Sequence, residues 1–410
     1  MPFNRLAQVL NAELAVIDGR GSSKRHETVI VDVVPAQDGH GPRYLLAGEG
    51  TKPFLKMNSN NYLGMGLRRR VVEAEEAAVQ RYGCGPGAVR FISGTCEPHV
   101  SLEARLAAFH GREAAMIFSS AYATIVSTIV PLITSDTALI SDELNHNCII
   151  NAMRMARPKE KYVYKHNQVA DLEGALRKAV ESGAKRAVVV TDGIFSMRGD
   201  HAPLAEIRGT VHSFDHHFPE NAVLVVDDSH GVGAFGRTGR GVEEFTACEP
   251  VDVLVGTLGK AFGVNGGYVT GSRTLIDFLR ETSMMYIYSN PITPAEAAAA
   301  KVAVDILDSP EGLDLLTHLR AMTAKFEKGL IDLGFETIRG EHPVTPLVVR
   351  DTPRTQALVK HLFADGVLAT GLSYPVVPKG DEEIRFQVSA DHTSKDIEMV
   401  LESLRQFSPS

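Results

Sequence analysis

Residues 222–241 read AVLVVDDSHGVGAFGRTGRG, and residues 251–263 read VDVLVGTLGKAFG. Both segments begin with a short run of apolar, mostly β-branched residues, which predicts a buried β-strand. Polar residues follow where each run stops, namely Asp227 and His230 after the first and Lys260 after the second. In an open α/β sheet, ligands bind at the carboxyl ends of the strands. We therefore expect an acid, an imidazole and a lysine to meet at one edge of a sheet.

The same alternation continues along the chain. Further apolar runs, AAMIF, TALIS and AVVVTD, are separated by helical patterns such as DLEGALRKAVESG. This alternation predicts βαβ crossover units, and hence an α/β fold with a mostly parallel sheet and helices on both of its faces. After residue 294 the pattern changes to an alanine-rich helix, another helix and short strands that end in IRFQVSA. We expect a smaller α+β C-terminal domain there.

The chain has 410 residues, which is more than one hydrophobic core usually supports. We predict three segments. Residues 1–57 are expected to form an N-terminal helical arm with short strands, and residues 58–294 a large domain that carries the site. Residues 295–410 are expected to form the small domain.

The composition is that of an ordinary globular enzyme, with 44% apolar and 22% charged residues. The net charge of −8, without a long run of Lys or Arg, provides no positive surface for a nucleic-acid backbone. No stretch approaches the roughly 20 apolar residues of a membrane-spanning helix, and the first residues lack the apolar core of a signal peptide. The four cysteines form no C-x-x-C pair, which indicates reduced thiols. We expect a cytoplasmic protein without nucleic-acid or membrane partners.

One kind of cofactor needs the residue types that follow these two strands. A Schiff-base cofactor needs a lysine amine that can be neutral at working pH and a carboxylate that keeps its pyridine nitrogen protonated. Lys260 and Asp227 suit these two tasks. A solvated lysine in a glycine-rich turn explains the spacing equally well, but the flanking glycines allow a planar group to approach closely. Thr257 could donate to a phosphate, so the segment favours pyridoxal 5′-phosphate (PLP).

Three alternatives use the same residues or their neighbours. The Gly-Lys pair suggests a P-loop, but that motif needs G-x-x-x-x-G-K-[ST], and Ala261 stands in place of the hydroxyl residue. Residues 231–236, GVGAFG, match the GxGxxG of an NAD-binding oxidoreductase, but polar residues separate them from the strand and no helix opening follows. His212, His216 and His217 could bind a metal, although a polar helix face is the simpler explanation, so we expect no metal.

A set of ordered motifs gives a more specific indication. The motifs are NNYLG, VRFISGT, ELNHNCII, TDGIFSM, DDSHGVGAFGRTGRG, GTLGKAFG, YSN and IRFQVSADHT. With them, from about residue 60 to residue 392, the chain resembles the α-oxoamine synthases, PLP enzymes of fold type I that condense amino acids with acyl-CoA thioesters. The resemblance implies a PLP-dependent acyltransferase with amino-acid and acyl-CoA substrates. It also implies a homodimer with active sites at the subunit interface.

The resemblance implies a role for each residue around the cofactor ring. Lys260 would form the Schiff base and remove the substrate's Cα proton, and Asp227 would pair with the pyridine nitrogen. His230 and Ser196 would lie near the phenolic oxygen of the ring, and His146 would stack on the ring face. Lys260, His146, His230 and Asp227 are therefore the expected catalytic residues.

The resemblance assigns the cofactor phosphate to a second group of residues. The backbone N–H groups of Ala121 and Tyr122, at the start of a helix, would donate to it together with Thr257. Ser289 would reach the phosphate from the neighbouring subunit. This last contact is the reason for expecting a dimer.

Asn60 and Arg385 match the positions that bind the amino-acid carboxylate, and a guanidinium suits bidentate recognition of that group. Within the family the motifs look most like those of glycine C-acetyltransferase, so glycine with an acyl-CoA is our first expectation. Arg198 stands where those acetyltransferases have Asp, and Phe91 replaces the asparagine with which 5-aminolevulinate synthases recognise succinyl-CoA. The alternatives are a decarboxylating synthase, similar to 8-amino-7-oxononanoate synthase or serine palmitoyltransferase, and a PLP aminotransferase. The sequence does not decide whether carbon dioxide is lost.

Overall fold

The first elements of the computed structural model, which describes residues 3–20, 23–25, 27–374 and 377–407, are one helix and three short strands. They are α1 (Asn4–Gly19), β1 (Ile30–Val34), β2 (Arg43–Leu46) and β3 (Leu55–Lys56). β1 and β2 pair in antiparallel orientation. α1 has no buried residue, and its apolar side chains Leu6, Val9, Leu10 and Leu14 are all exposed. The apolar stripe of this helix is therefore not covered by its own chain.

A seven-stranded sheet forms the centre of the large domain. Its strands in chain order are β4 (Ala114–Phe118), β5 (Thr137–Asp142), β6 (Glu160–Tyr164), β7 (Arg186–Asp192), β8 (Ala222–Asp227), β9 (Val253–Thr257) and β10 (Gly267–Gly271). Across the sheet the order is β4-β10-β9-β8-β7-β5-β6. β10 runs antiparallel to both of its neighbours, and the other pairs are parallel. The sheet is therefore parallel except for one inserted strand.

Helices cover both faces of this sheet. The helices of this part are α2 (Arg69–Tyr82), α3 (Glu97–Phe109), α4 (Ala121–Leu132), α5 (Asn147–Met155), α6 (Val169–Glu181), α7 (Leu204–Phe214), α8 (Val242–Phe245), α9 (Arg273–Thr282) and α10 (Met284–Ile287). Successive residues of β7 point to opposite faces, so Val188 packs in one apolar cluster with α4 and α5, and Val189 packs in another with α6 and α7. The continuous apolar run of β7 reflects burial on both sides.

The C-terminal part contains long helices and a second, smaller sheet. Its elements are α11 (Pro294–Leu307), α12 (Pro310–Asp332), β11 (Glu336–Thr337), β12 (Val344–Val348), α13 (Thr352–Ala364), β13 (Val367–Leu368), β14 (Thr370–Leu372), β15 (Glu383–Gln387) and α14 (Ser394–Gln406). The sheet order is β11-β12-β15-β14. β13 pairs with β3 of the N-terminal segment, and Arg43 Nη2 lies 2.6 Å from Asp396 Oδ1 on α14. The two ends of the chain are therefore joined at this domain.

The predicted α/β fold is confirmed, with a mostly parallel sheet, helices on both faces and a smaller α+β part. Each of the apolar runs that predicted a strand forms one. The sequence analysis did not predict β6 and β10. EKYVY is a partly exposed edge strand, and GYVTG is rich in residues that favour turns. The domain boundaries after residues 57 and 294 stay a prediction.

Within the described ranges, no helix is long and apolar enough to span a lipid bilayer. The four cysteines in those ranges are free thiols. No group of three or more His, Cys, Asp or Glu side chains among the same residues could hold a metal ion. His216 and His217 stack on each other in the short turn after α7 instead, with ring centroids 3.9 Å apart.

Gly256 gives a stability test of the junction between β9 and β10. A Cβ atom there would lie 2.4 Å from the ring of buried Tyr268, its cross-strand neighbour. We expect Gly256→Ala to lower the free energy of unfolding by about 1–3 kcal/mol through overpacking. Gly174→Ala on α6 is the matched control, because a Cβ there meets nothing within 4 Å, and it should raise stability by about 0.5–1 kcal/mol. Urea unfolding followed by circular dichroism measures both, and equal stability of the two variants would contradict the prediction.

Candidate active site

A pocket opens at the carboxyl ends of the central strands. Its walls come from the start of α4, the start of α5 and the loops that follow β7, β8 and β9. The residues that line it are Ala121, Tyr122, His146, Cys148, Asp192, Ile194, Ser196, Asp227, Ser229, His230 and Lys260. The sheet topology explains this meeting, because β7, β8 and β9 are neighbours and parallel. Residues far apart in sequence therefore leave the sheet at the same edge.

Two carboxyl groups lie side by side in the floor of this pocket. Asp192 ends β7 and Asp227 ends β8, and the two are direct cross-strand partners. The backbone N–H of Ser229 donates to Asp227 Oδ1 at 3.1 Å, and that of His146 donates to Asp192 Oδ2 at 2.9 Å. Burial and, next, the charge of Asp227 raise the pKa of Asp192 well above its ordinary value. Asp192 therefore keeps its proton more readily than a free aspartate does.

Lys260 is the cation of the pocket. It follows β9 in the loop Gly259–Gly263, which closes through a bond from the N–H of Gly263 to the carbonyl of Lys260 at 2.9 Å. Burial lowers the pKa of Lys260 to about 8, and the negative charge of Asp227 opposes that shift. An amine with such a pKa is neutral in roughly a tenth of molecules at pH 7, compared with far less than a hundredth for an ordinary lysine. A neutral amine can act as a nucleophile or as a base.

His146 and Cys148 form a second pair above the carboxylates. The His146 side chain caps α5, and its Nδ1 accepts a hydrogen bond from the N–H of Cys148 at 3.2 Å. Cys148 Sγ lies 2.9 Å from that same Nδ1 and 3.7 Å from Asp227 Oδ2. Burial, followed by the charges of Asp227 and Asp192, raises the pKa of the Cys148 thiol well above its usual range. Cys148 is therefore a neutral thiol in the pocket wall, although the sequence alone gave no indication of it.

His230 is held from the opposite side. Tyr62 Oη lies 2.8 Å from His230 Nδ1 and 3.3 Å from Asn60 Oδ1. His342 Nε2 lies 2.9 Å from the carbonyl oxygen of His230. Burial and the charge of Lys260 lower the pKa of His230 well below its ordinary value, so the imidazole is neutral. The sequence analysis missed Tyr62 as a site residue. Its position in the motif NNYLG, close to Asn60, was the signal that could have identified it.

Arg385 approaches the pocket from the small sheet. Its Nη1 donates to the carbonyl of Ser196 at 3.0 Å. Gln387, two residues along the same face of β15, turns its amide oxygen towards the guanidinium and accepts from Nη2 and Nε, each at 2.7 Å. Arg385 does not line the pocket itself, but its charge, after burial, lowers the pKa of both His146 and Lys260. The guanidinium is therefore fixed in orientation next to the site.

The remaining predicted residues are placed differently. Ala121 and Tyr122 line the pocket at the start of α4, where Ser120 Oγ accepts from the N–H of Ala123 at 3.1 Å. The hydroxyl of Thr257 is used inside its own loop, where it donates to the carbonyl of Gly266 at 3.2 Å. Ser289, near the end of α10, is half-buried and does not line the pocket of this chain.

The glycine-rich segment 231–241 has a structural role. It forms a closed loop in which the N–H of Val242 donates to Asp228 Oδ2 at 2.8 Å. Asp228 is fully buried, and a Cβ at Gly241 would lie 1.8 Å from its carboxyl oxygen. The loop therefore wraps around a carboxyl group instead of opening a helix, which rules out the strand-turn-helix geometry of a dinucleotide site.

A larger cavity of about 770 Å³ adjoins the pocket and shares His146 and Ser196 with it. Its wall combines residues from the N-terminal segment, from the loops after β5 and β7, and from the region of the small sheet. Its other lining residues are Lys24, Glu143, Leu144, Asn145, Asn147, Ile150, Phe195, Met197, Arg198, Ile338, Val348, Arg350, Val377, Pro378, Asp381 and Glu383. Eight of these sixteen side chains are apolar and six are charged. The cavity therefore suits a flexible chain that carries both apolar and polar groups.

The pocket has the donor set that PLP needs. It offers a buried amine, a carboxylate on the neighbouring strand and the free N–H groups at the start of α4, which suit a phosphate. At Gly267 a Cβ would lie 2.5 Å from Ala121, so the glycine lets β10 approach that helix start closely. Ser229 Oγ is buried in the pocket wall without a hydrogen-bond partner among the described residues. The residues present therefore fit the cofactor.

Fold and pocket together define a PLP enzyme of fold type I, and comparison with known proteins identifies the family. The sequence model of "Aminotransferase class I and II" matches residues 52–404, so the chain belongs to that family. It is 39% identical to 8-amino-7-oxononanoate synthase of Thermosipho melanesiensis over 87% of this chain and 88% of that protein. It is 36% identical to the enzyme of the same name from Fervidobacterium nodosum, over 95% and 97%.

Solved structures point to the same group. The structure of Sphingomonas wittichii serine palmitoyltransferase superposes with a TM-score of 0.87 at 25% identity, covering 98% of this chain and 97% of that one. Both kinds of relative are α-oxoamine synthases. The protein is thus a PLP-dependent acyltransferase of the α-oxoamine synthase group.

Asp192 gives a test of the carboxyl pair in the cofactor-free protein. Because its pKa is higher in the folded than in the unfolded state, the folded state holds an extra proton. The stability that protonated Asp192 contributes is fully present below its pKa in the unfolded state, about 4. It is lost as the pH rises from there towards its pKa in the folded state. Asp192→Asn removes this dependence and still accepts from the N–H of His146. Between pH 4 and pH 7 we expect the free energy of unfolding of the variant to rise by at least about 1 kcal/mol relative to that of its parent.

Urea unfolding at several pH values measures this difference. Asp277→Asn, an exposed position on α9, is the control and should follow the parent at every pH. A constant difference between Asp192→Asn and the parent across the range would contradict the raised pKa.

Proposed function

We propose that the protein condenses an amino acid with an acyl-CoA thioester, forming a carbon–carbon bond and releasing CoA. The observation that carries the proposal is the junction of two spaces, the PLP-fitting pocket around Lys260 and the larger cavity that joins it at His146 and Ser196. An amino donor alone would fill the pocket. The adjoining cavity provides room for a second, longer substrate, and this favours a synthase over a PLP aminotransferase.

PLP, when bound, supplies an electron sink for the carbanion formed at the substrate's Cα. We propose that Lys260 would hold the cofactor and that its amine, once free, would take up the Cα proton, for which its low pKa prepares it. Asp227 would hold the proton on the pyridine nitrogen, supported by the N–H of Ser229. Lys260 and Asp227 thus have complementary tasks at opposite ends of the ring.

The neutral imidazoles of His146 and His230 would act as positioned groups. His146 would lie against the ring and face the thioester carbonyl, because it belongs to both the pocket and the cavity. His230, oriented by Tyr62, would donate to the phenolic oxygen together with Ser196. Fixed donors of this kind stabilise oxygen atoms on which negative charge grows.

The helix start at Ala121 and Tyr122 would bind the cofactor phosphate, with Thr257 beside it. Arg385, held by Ser196 and Gln387, and Asn60 would bind the carboxylate of the amino acid. A fixed guanidinium suits this task because it loses little freedom on binding.

We also propose a homodimer in which Ser289 completes the phosphate site of the partner subunit. Two observations support it. Ser289 does not line the pocket of its own chain, and the adjacent Tyr288 is 80% exposed. The uncovered apolar stripe of α1 gives a second surface that association could bury. The free cysteines are compatible with the cytoplasm, which stays our expected location.

The choice of substrates has two candidate answers. Glycine with a short acyl-CoA follows from the sequence motifs. The relatives named 8-amino-7-oxononanoate synthase and serine palmitoyltransferase favour a decarboxylating condensation instead. The CoA part of either thioester would have to enter the cavity of about 770 Å³, so its size does not choose between the two answers.

A substrate survey tests the proposed reaction. Glycine, alanine and serine would each be mixed with acetyl-CoA, a long-chain acyl-CoA and a dicarboxylic acyl-CoA, and free thiol would be measured. We expect thiol release only when both substrates are present, and mass spectrometry of the product shows whether carbon dioxide is lost. Conversion of the cofactor to its amine form by an amino acid, with no use of any thioester, would favour an aminotransferase and contradict the proposal.

Lys260→Ala tests the central residue. We expect loss of the visible absorbance band of lysine-bound PLP and a fall in turnover of at least about 10³-fold, since both the anchor and the base are removed. Lys185→Ala is the matched control, because Lys185 is exposed and pairs with Asp136 far from the pocket. It should retain the parent's spectrum and rate. Turnover by Lys260→Ala near the control's rate would exclude Lys260 as the base.

A further inference from the structure

Glu383 is a buried acid in the wall of the large cavity. It begins β15 and shares a strand face with Arg385 and Gln387. The residue is only 5% exposed, and its Oε1 is buried without a hydrogen-bond partner among the residues that the structure describes. Burial raises the pKa of Glu383 to about 7, although the charges of Arg385 and Arg198 oppose that shift. The carboxyl group thus lies in the cavity wall with an unused acceptor.

The charged groups around Glu383 are already paired with other residues. Arg198 Nε donates to Asp200 Oδ2 at 2.8 Å. Arg350 Nε donates to Glu336 Oε2 at 3.0 Å. Arg385 donates to the carbonyl of Ser196 and to Gln387. None of these three arginines therefore donates to Glu383, although the charges of Arg385 and Arg198 still act on its pKa.

The preceding residue, just before this strand, is an acid whose hydrogen-bonding capacity is used. Glu382 accepts from Thr352 Oγ1 and from the N–H of Gly380, each at 3.0 Å. Most buried polar atoms in proteins have such partners, and an exception calls for an explanation. For Glu383, which faces a cavity large enough for a substrate, a donor on a ligand provides one.

The chemistry of the thioester substrate suggests which donor this is. The carbonyl carbon that reacts must lie in the pocket near His146, so the rest of the acyl-CoA extends into the adjoining cavity. The pantetheine arm of CoA is a flexible, mostly apolar chain that carries two amide N–H groups. It therefore matches a cavity that combines apolar side chains with polar ones and whose wall includes the unpartnered carboxyl oxygen of Glu383.

We propose that Glu383 accepts a hydrogen bond from an amide N–H of the pantetheine arm and so makes the enzyme specific for pantetheine thioesters. This inference rests on the proposed condensation reaction and names the recognition of its thioester carrier. An acyl chain that ends in a carboxylate is the poorer match for this position, because two acids placed together repel each other. Arg198 and Arg350 are already paired with acids, and Arg385 is the group that we propose for the amino-acid carboxylate.

Two thioesters of one acyl group test the proposal in the PLP-loaded enzyme. The acyl group is the one that gives the highest turnover in the substrate survey. An N-acetylcysteamine thioester keeps the first amide of the arm, and a butyl thioester lacks it. At a pH well above 7, where Glu383 is ionised, we expect the parent enzyme to prefer the amide-bearing substrate about tenfold or more in kcat/KM, since hydrogen bonds to charged acceptors are strong. In Glu383→Leu the ratio should fall to about one, mainly through KM.

Two further variants make the result decisive. Glu382→Gln changes the neighbouring acid, which bonds away from the cavity, and should keep the parent's ratio. Glu383→Met, which is close in length to Glu, replaces the Leu variant if that variant does not fold. Calorimetry with free pantetheine adds a measurement without turnover, in which the Glu383 variants should bind about tenfold more weakly.

The possible failures are distinguishable. If the Glu383 variants keep the preference for the amide while acyl-CoA is still consumed, the proposed contact is wrong and the condensation reaction stands. If the loss of kcat/KM in the Glu383 variants depends on which acyl group the thioester carries and not on the presence of the amide, Glu383 contacts the acyl chain and the proposal is overturned. If no thioester releases thiol with any amino acid, the proposed function itself fails.

Discussion

Two carboxyl groups at the ends of neighbouring parallel strands, Asp192 and Asp227, are the constraint on which the site depends. Parallel pairing brings them together as direct partners, and the buried surroundings make two adjacent negative charges costly. The structure resolves the conflict by raising the pKa of Asp192 and by aiming backbone N–H groups at both acids. The N–H that serves Asp192 is that of His146, so the same interaction fixes the start of α5. The pocket wall and its floor are therefore one connected unit.

The basic groups of the pocket follow from this arrangement. Burial lowers the pKa of Lys260, and the charge of Asp227 partly opposes this shift. The result is an amine that can change protonation near neutral pH. Burial also lowers the pKa of His146, against the opposing charge of Asp227, and burial with the charge of Lys260 lowers that of His230. A neutral imidazole can hydrogen-bond to a cofactor or a substrate without adding a further positive charge. The environment of each group, and not its residue type alone, thus sets the protonation state of one acid, one amine and two imidazoles in this pocket.

The domain junction adds the parts that concern the second substrate. Arg385 and Glu383 come from the small sheet, whereas Ser196 and Arg198 come from the loop after β7. A hydrogen bond from Arg385 to the carbonyl of Ser196 crosses this junction at the point where pocket and cavity meet. The pairing of β3 with β13 attaches the N-terminal segment, and with it Asn60 and Tyr62, to the same place. The cavity consequently has walls from separate parts of the chain.

The sequence by itself determined the sheet class and the ordered strand ends, because buried parallel strands are nearly continuous apolar runs and their polar endings stand out. It also predicted Lys260, Asp227, His146 and His230 as site residues from ordered motifs, and the structure brings these four residues into one pocket. It could not show Asp192 as the neighbour of Asp227, because strand order is set by how the crossovers pack. Tyr62, Cys148 and Glu383 likewise became meaningful only through contacts between segments distant in sequence. Burial and hydrogen-bond partners exist only in three dimensions, and therefore only the tertiary structure decided which groups are neutral, which are paired and which remain free for a ligand.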